Sequence, residues 1–400
     1  MSQISQATAT KPRDPVRAEP LAGDTDSGSA AAPLTVSTGA ILSYRLFDVA
    51  YEIDLAKAEE VWARTVRTGS SRGRLAMTPP KAVAFGVPPV ALGLGPVTLD
   101  LPDGPLQALV TARLYDFGVV SLVVRAPAAG LSWDAFVRRL NAVDALLSAE
   151  AGDSLWPALL DRVREGVGEA LIRPLATPLE EDYVVGFVNA FDQPIQGETL
   201  PRRVDLVPVL SGEVRPLSEA ARGDLLRHRY SYYADDLVVL TWDRAFICEP
   251  RGESDVLDVL EVANAQLLEM RYYDELLDAE LPRMYDLVEA TRRRWPMPGV
   301  RRFADLARRL YTLVAEVTEL TEKVDNALQV TEDVYLARIY TAALDLFRVP
   351  TVSAAVDRKL SIIRDTYTAL YDEASSSRSE LLEIMVLLLI AVEVVLALVR

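Results

Sequence analysis

Residues 107–125, QALVTARLYDFGVVSLVVR, set two apolar runs on either side of Asp116-Phe117-Gly118. Runs rich in β-branched and large apolar residues that flank a short glycine-containing turn read as an antiparallel hairpin, here 107–116 with 118–125. Residues 236–248, DLVVLTWDRAFIC, repeat the arrangement, with strands 236–241 and 244–248 turning at Asp243. Upstream of the first hairpin, Phe47, Val49, Tyr51 and Ile53 alternate with Asp48, Ala50 and Glu52, the period of a half-buried strand. A helix follows over about Leu55 to Thr68, and 79–105, rich in Pro and Gly, is expected to hold short strands at best. Ser132 is placed to cap a helix running to about Leu147, with Leu131 and Phe136 as its hydrophobic staple.

The second hairpin has similar surroundings. A helix is expected over about 154–172, a strand over 183–191 (YVVGFVNAF), a helix over about 217–229, and another beginning near Ser254. The order strand, helix, hairpin, helix thus occurs twice. The fold class is α+β, with an expected duplication of this unit and a competing reading in which short β-α segments merely recur.

After residue 253 the period changes. Val256, Leu260, Ala263, Leu267 and Met270 step by three and four, as one face of a helix does, and Pro282 is a point for a kink or a new start. Phe303, Leu306, Leu310, Leu313, Val317, Leu320, Val324 and Ala327 continue the 3-4 spacing over more than three heptads, which reads as a coiled-coil seam for self-association. Helices are expected over about 331–347 and 351–373. The domain organisation expected is a disordered tail over 1–37, an α+β domain over 38–252, a helical coiled-coil region over 253–375, and a hydrophobic anchor helix over 376–400. The tail assignment rests on Pro, Ala, Ser and Thr with scattered acids and no apolar core, a composition of neither a signal peptide nor a transit peptide.

Residues 381–399, LLEIMVLLLIAVEVVLALV, carry the clearest functional signal. Nineteen helical residues reach about 28 Å, against about 30 Å for a hydrocarbon core. Its fourteen Leu, Ile and Val residues contribute roughly −4 to −8 kcal/mol to insertion, and each acid at the centre costs about 2.5–3.5. Glu383 sits near the entry and Glu393 deeper, so insertion is close to balanced, and snorkelling or protonation lowers the cost. Leu381, Glu383, Leu388, Glu393 and Val399 therefore mark an expected membrane anchor. The competing reading buries the same helix inside a soluble oligomer, with Glu393 as a paired polar group.

The stretch from Val356 to Val399 resembles the C-terminal signature of the "required for meiotic nuclear division" family. There, a helix with a Lys-Leu pair leads through a Ser/Arg/His-rich joint into Leu-Glu and an apolar run ending in Ile/Val-Glu-Ile/Val. The matching positions here are Lys359 and Leu360, Arg378 and Ser379, Leu382 and Glu383, and Val392, Glu393 and Val394. The resemblance implies a C-terminally membrane-anchored, self-associating protein of unassigned activity, and it transfers no catalytic residue.

Chemistry is less legible. The net charge of −16 disfavours a nucleic-acid surface over most of the molecule. One histidine, His228, excludes a His-based metal cluster, and one cysteine, Cys248, excludes an internal disulfide. Asp116-Phe117-Gly118 spells a kinase tripeptide, but without the kinase's upstream lysine and glycine-rich loop it reads as a turn. No phosphate-loop motif accompanies Gly86, Gly93 and Gly95, so no cofactor is implied. Cys248 with His228 as a nucleophile pair, and the acids at 180–182 and 235–236 as a cation site, are each weaker than the readings as core cysteine and solvated loops. Arg292, Arg293, Arg294, Arg301 and Arg302 form a candidate patch for an anionic partner, set against a reading as solvated helix ends. The expected protein is a tail-anchored scaffold with its body in the cytoplasm, presenting the α+β domain to an unidentified protein partner, not an enzyme.

Overall fold

A computed structural model of the chain describes residues 33–65, 71–72, 83–85, 87–213, 215–252, 255–292, 308, 311–312, 314–315, 317–318, 328–330 and 333–398. Beyond Thr366, side chains are described only at 368, 369, 385–387, 389 and 390. Residues Leu34–Arg400 form one compact unit. The boundary expected at 252/253 falls inside it.

The centre is strand β1 (Thr35–Asp48), followed by β2 (Ala50–Ile53) and helix α1 (Leu55–Thr65). After β3 (Ser71–Arg72) and β4 (Val83–Phe85) come β5 (Val90–Leu101), β6 (Gly104–Leu114), β7 (Val119–Pro127) and β8 (Leu131–Ser132). Helices α2 (Trp133–Leu147) and α3 (Glu150–Val167) lead to β9 (Leu171–Pro174) and β10 (Glu180–Phe191). Short helices α4 (Leu200–Arg203), α5 (Val207–Ser211) and α6 (Glu219–Leu225) precede β11 (Arg229–Tyr230), β12 (Leu237–Leu240) and β13 (Arg244–Cys248). Then follow α7 (Asp255–Arg292), β14 (Leu328–Val330), α8 (Val334–Leu346) and α9 (Val349–Leu398).

The main sheet runs β11-β12-β13-β10-β1-β7-β6-β5-β3, with β8 on β1. Side chains alternate across a strand, so the central strands supply two cores. Ile41 and Phe47 of β1, Val120, Leu122 and Val124 of β7, and Phe246 of β13 point to a core shared with α1, α2 and α3. Ala40, Leu42, Tyr44 and Leu46 of β1, Tyr183, Val185 and Phe187 of β10, and Ile247 point to a second core. That second core is covered by α7, α8 and α9. The result is helices on both faces of a mostly antiparallel sheet, an α+β fold as expected. The described parts of α7, α8 and the first turns of α9 thus form the second covering layer of the sheet.

Strand order mirrors around the β10–β1 pair, with the last strand of a hairpin beside each. Direction breaks the likeness, because β7 is antiparallel to β1 whereas β13 is parallel to β10. The recurrence of order therefore does not amount to two superimposable units.

Both hairpins form where their turns require them. Gly118 has φ +99°, and a Cβ there would stand 1.8 Å from the Ala50 carbonyl oxygen. The same turn is bonded to the β1–β2 joint, with Val49 N–H donating to Gly118 O (3.1 Å) and Ile53 N–H to Asp116 O (3.0 Å). The kinase-like tripeptide is thus a docked turn. The expectation of short strands at best in 79–105 is corrected by β5, which is twelve residues long. Its buried positions Val90, Leu92 and Leu94 alternate up to a bulge between Gly93 and Gly95, and Leu99 and Leu101 resume beyond it. The bulge absorbs the extra residue that disguises the period.

Helix α2 starts where Ser132 accepts a hydrogen bond from Ala135 N–H at 3.4 Å. Replacing Ser132 by alanine should cost about 0.5–2 kcal/mol and by glycine only a few tenths. Urea unfolding of the two variants measures the difference, and equal losses would show that the cap contributes nothing.

Candidate functional site

Helix α7 meets the sheet with acids as well as apolar residues. The stripe read from Val256 to Met270 is real, but residues 256–266 and 268–270 are buried on every side, which the one-face reading did not anticipate. Arg113 Nη1 on β6 bonds Asp258 Oδ1 at 2.6 Å and Glu261 Oε2 at 2.9 Å. Both acidic side chains are essentially inaccessible, and the Tyr115 and Ser121 hydroxyls sit beside Glu261. Burial pushes the Glu261 carboxyl up, and Arg113 opposes that shift. Two turns further along, Tyr273 donates its hydroxyl to Glu269 Oε2 at 2.7 Å, while Glu269 Oε1 and Asp48 Oδ2 are buried without hydrogen-bond partners. Burial raises Asp48 to about 7, and burial with the nearby Asp48 charge holds Glu269 well above the usual carboxylate range.

A cleft of about 870 Å³ opens where β10 begins, the β12–β13 turn bends, α2 ends and α8 gives way to α9. This volume lies within the range of small-molecule sites. Its wall is fixed by Arg244, 8% exposed, which pairs with Asp144 and donates to Asn141 Oδ1 (2.8 Å) and Val209 O (3.2 Å). Tyr183 supports the turn from below, its hydroxyl donating to the carbonyls of Arg244 (2.9 Å) and Thr241 (3.1 Å). Phe347 stacks edge-on against Tyr183 at 5.3 Å, and Arg348 takes φ 59° as the chain turns from α8 to α9. The rim is acidic. Asp144 is matched by Arg244 and Glu181 by Arg271, which leaves Asp182, Asp243 and Asp345 against Arg348. Burial raises the Asp243 carboxyl, opposed by the Thr241 hydroxyl and by Arg244.

Sequence reasoning did not find this cleft, because its parts lie between Asp144 and Arg348. Its one local signal is a tryptophan in a tight turn: Trp242 is 71% exposed. Of the acids considered for a cation, Glu180 pairs with Arg45 and Glu181 with Arg271, while Asp236 Oδ1 accepts from Tyr232 N–H, Tyr233 N–H and the Ser231 hydroxyl. Among the described residues no group of three His, Cys, Asp or Glu is arranged to hold a metal. Cys248 is buried, and burial pushes its thiol up to about 12, against any role as a nucleophile at neutral pH.

Leu381, Glu383, Leu388 and Glu393 fall on the backbone of α9, with their side chains outside the described residues, and Val399 is outside them altogether. Val317 is 1% exposed and belongs to the second core of its own chain, so that position of the expected oligomer seam is occupied internally. Leu306, Leu310, Leu313, Leu320 and Val324 lie outside the described residues, as do Arg293, Arg294, Arg301 and Arg302, and Arg292 ends α7. Among the described residues no single helix is long and apolar enough to cross a membrane. A pair bent by 63°, Val334–Leu346 with Val349–Thr366, has the length and composition, but Leu336, Ile339, Val356, Leu360 and Ile363 are buried in the second core.

The fold and cleft define a sheet domain clad on both faces, with an acidic opening at one end. A family model described as the N-terminal domain of the uncharacterised protein MJ0711 matches residues 38–255, and the chain belongs to this family. The uncharacterised protein MJ0711 of Methanocaldococcus jannaschii is 25% identical over 196 residues, which cover 49% of this chain and 59% of that protein. The matched region thus spans less than two thirds of that relative. No solved structure matches. The matched family span takes in β1 to β13 and ends at the start of α7, so the residues resembling the meiotic nuclear division family lie outside it.

Proposed function

We propose that the protein is a membrane-tethered binding module, in which the end of α9 enters a bilayer and the sheet domain stands in the adjoining water. The carrying observation is the change of character along α9. Its first turns bury Val349, Val356, Leu360 and Ile363 in the second core. Further on, Met385, Val386, Leu387, Leu389 and Ile390 are each more than half exposed. At 100° per residue these five cover more than half of the helix circumference, and a helix apolar over so wide an arc is stable only inside protein or lipid. The resemblance of 356–399 to a membrane-anchored family supports the same reading.

Flotation of the full chain with phosphatidylcholine vesicles tests it. The wild type should rise with the vesicles. The double variant Leu387→Arg/Ile390→Arg should remain below, since two central arginines cost about 5–7 kcal/mol, comparable with the whole apolar gain. Glu393→Leu should strengthen partition. A wild-type chain that stays below as a defined oligomer, which Glu393→Leu disperses, would instead establish the buried-tail reading.

A further inference from the structure

The acidic cleft carries three independent features that favour one kind of ligand, and none depends on the tail. Asn264 lines it and is 3% exposed; its Nδ2 donates to Leu260 O at 3.1 Å, and no donor to its Oδ1 is present among the described residues. A largely buried amide whose oxygen is open to a cleft can accept a hydrogen bond from a ligand there. Asp182 and Asp345 are exposed on the rim and pair with no cation among the described residues, and Asp243 accepts from the Thr241 hydroxyl at 3.1 Å beside the Asp144-paired Arg244. These three carboxylates outnumber Arg348, so the cleft attracts positive charge. Trp242, 71% exposed on the same rim, offers an indole face, the best aromatic surface for a cation and for the methylenes behind it.

We propose that this cleft binds an alkylammonium or guanidinium cation, carried either by a free polyamine or by the side chain of a basic peptide. The charged head donates to Asn264 Oδ1 and the rim carboxylates, and the apolar stem lies on Trp242. An inorganic cation uses neither the indole nor the length of the cleft. An anionic ligand meets three carboxylates.

Isothermal titration of the full chain with spermidine, and separately with an amidated acetyl-trilysine peptide, tests the proposal. At least one probe should bind saturably at one site per chain, more weakly at high salt. Trp242→Ala should weaken binding about tenfold. The double variant Asp182→Asn/Asp345→Asn should weaken it further, whereas Asp235→Asn, an exposed acid outside the cleft, should leave it unchanged. Binding of spermidine alone identifies a free polyamine as the source, and binding of the peptide alone identifies a basic protein segment. Absence of saturable binding by either probe overturns the proposal. So does binding that survives the cleft variants or falls equally with Asp235→Asn, because both describe diffuse attraction to an acidic protein. All substituted side chains are solvent-facing, and circular dichroism confirms that the variants are folded.

Discussion

Arg113→Ala is expected to lower the unfolding free energy by about 3–5 kcal/mol, the usual cost of removing one partner from a buried ionic group. The guanidinium stands between Asp258 and Glu261, whose side chains are 0% and 1% exposed. Without it, two carboxyls remain buried between β6 and α7 with no cation beside them among the described residues. The deficit should depend on pH with a definite sign. Without the guanidinium that opposes it, burial raises the Glu261 carboxyl further above its unfolded value, so the folded variant is most stable when Glu261 is protonated and loses stability as pH rises. Denaturant titrations across pH should show the gap from wild type widening from acid to neutral. Replacing the whole group, as in Arg113→Met/Asp258→Leu/Glu261→Met, should recover most of the loss, since apolar residues of similar size often match a buried ion pair. A single variant that is as stable as wild type at neutral pH would mean the group is solvated and its burial unimportant.

Asp48→Asn should act in the opposite direction. Asp48 is 2% exposed at the end of β1, with Oδ2 unpartnered, and burial lifts it to about 7. A carboxyl raised from an unfolded value near 4 favours the protonated folded form. Its contribution to stability is full below about pH 4 and is lost as pH climbs toward 7. In wild type this loss amounts to as much as about 4 kcal/mol. An asparagine carries no such charge, so the variant should be more stable than wild type at pH 8 by up to that figure and nearly equal to it at pH 4. Glu269, raised by burial and by Asp48, and Tyr273, which donates to Glu269, face the same space, and relief of Glu269 adds to the gain. Thermal unfolding at the two pH values reads the difference directly. Equal destabilisation at both would show that Asp48 is charged and productively bonded in the fold.

Local chemistry explains what could be read from the chain beforehand. Gly118 is a turn residue by necessity, Ser132 a cap by its position before an apolar period, and the two hairpins follow from such signals within about twenty residues. The acids on α7 were not legible, because Asp258, Glu261 and Glu269 look like the solvent side of an amphipathic helix until the sheet covers that side too. Double coverage also blurs β1, whose buried residues 40–44 run without alternation. Leu109 of β6, 60% exposed, belongs instead to the part of the sheet that one layer covers, and there the simple period survives. The cleft was invisible for a further reason. Asp144 and Arg348 come to line one cleft only after three layers have assembled.

The position of β1 bears on how the protein is made. Among the described strands it is synthesised earliest, yet it lies in the middle of the sheet, and Leu46 pairs with Glu181. While the ribosome is still supplying the intervening residues, β7 can claim one edge of β1 but the other stays open. An open, largely apolar edge is the kind that pairs with the wrong chain. Closing it requires a long-range encounter, which slows folding. Nascent chains stalled before residue 180 should therefore depend on chaperones more than chains stalled after residue 248, when β10 and β13 have both emerged.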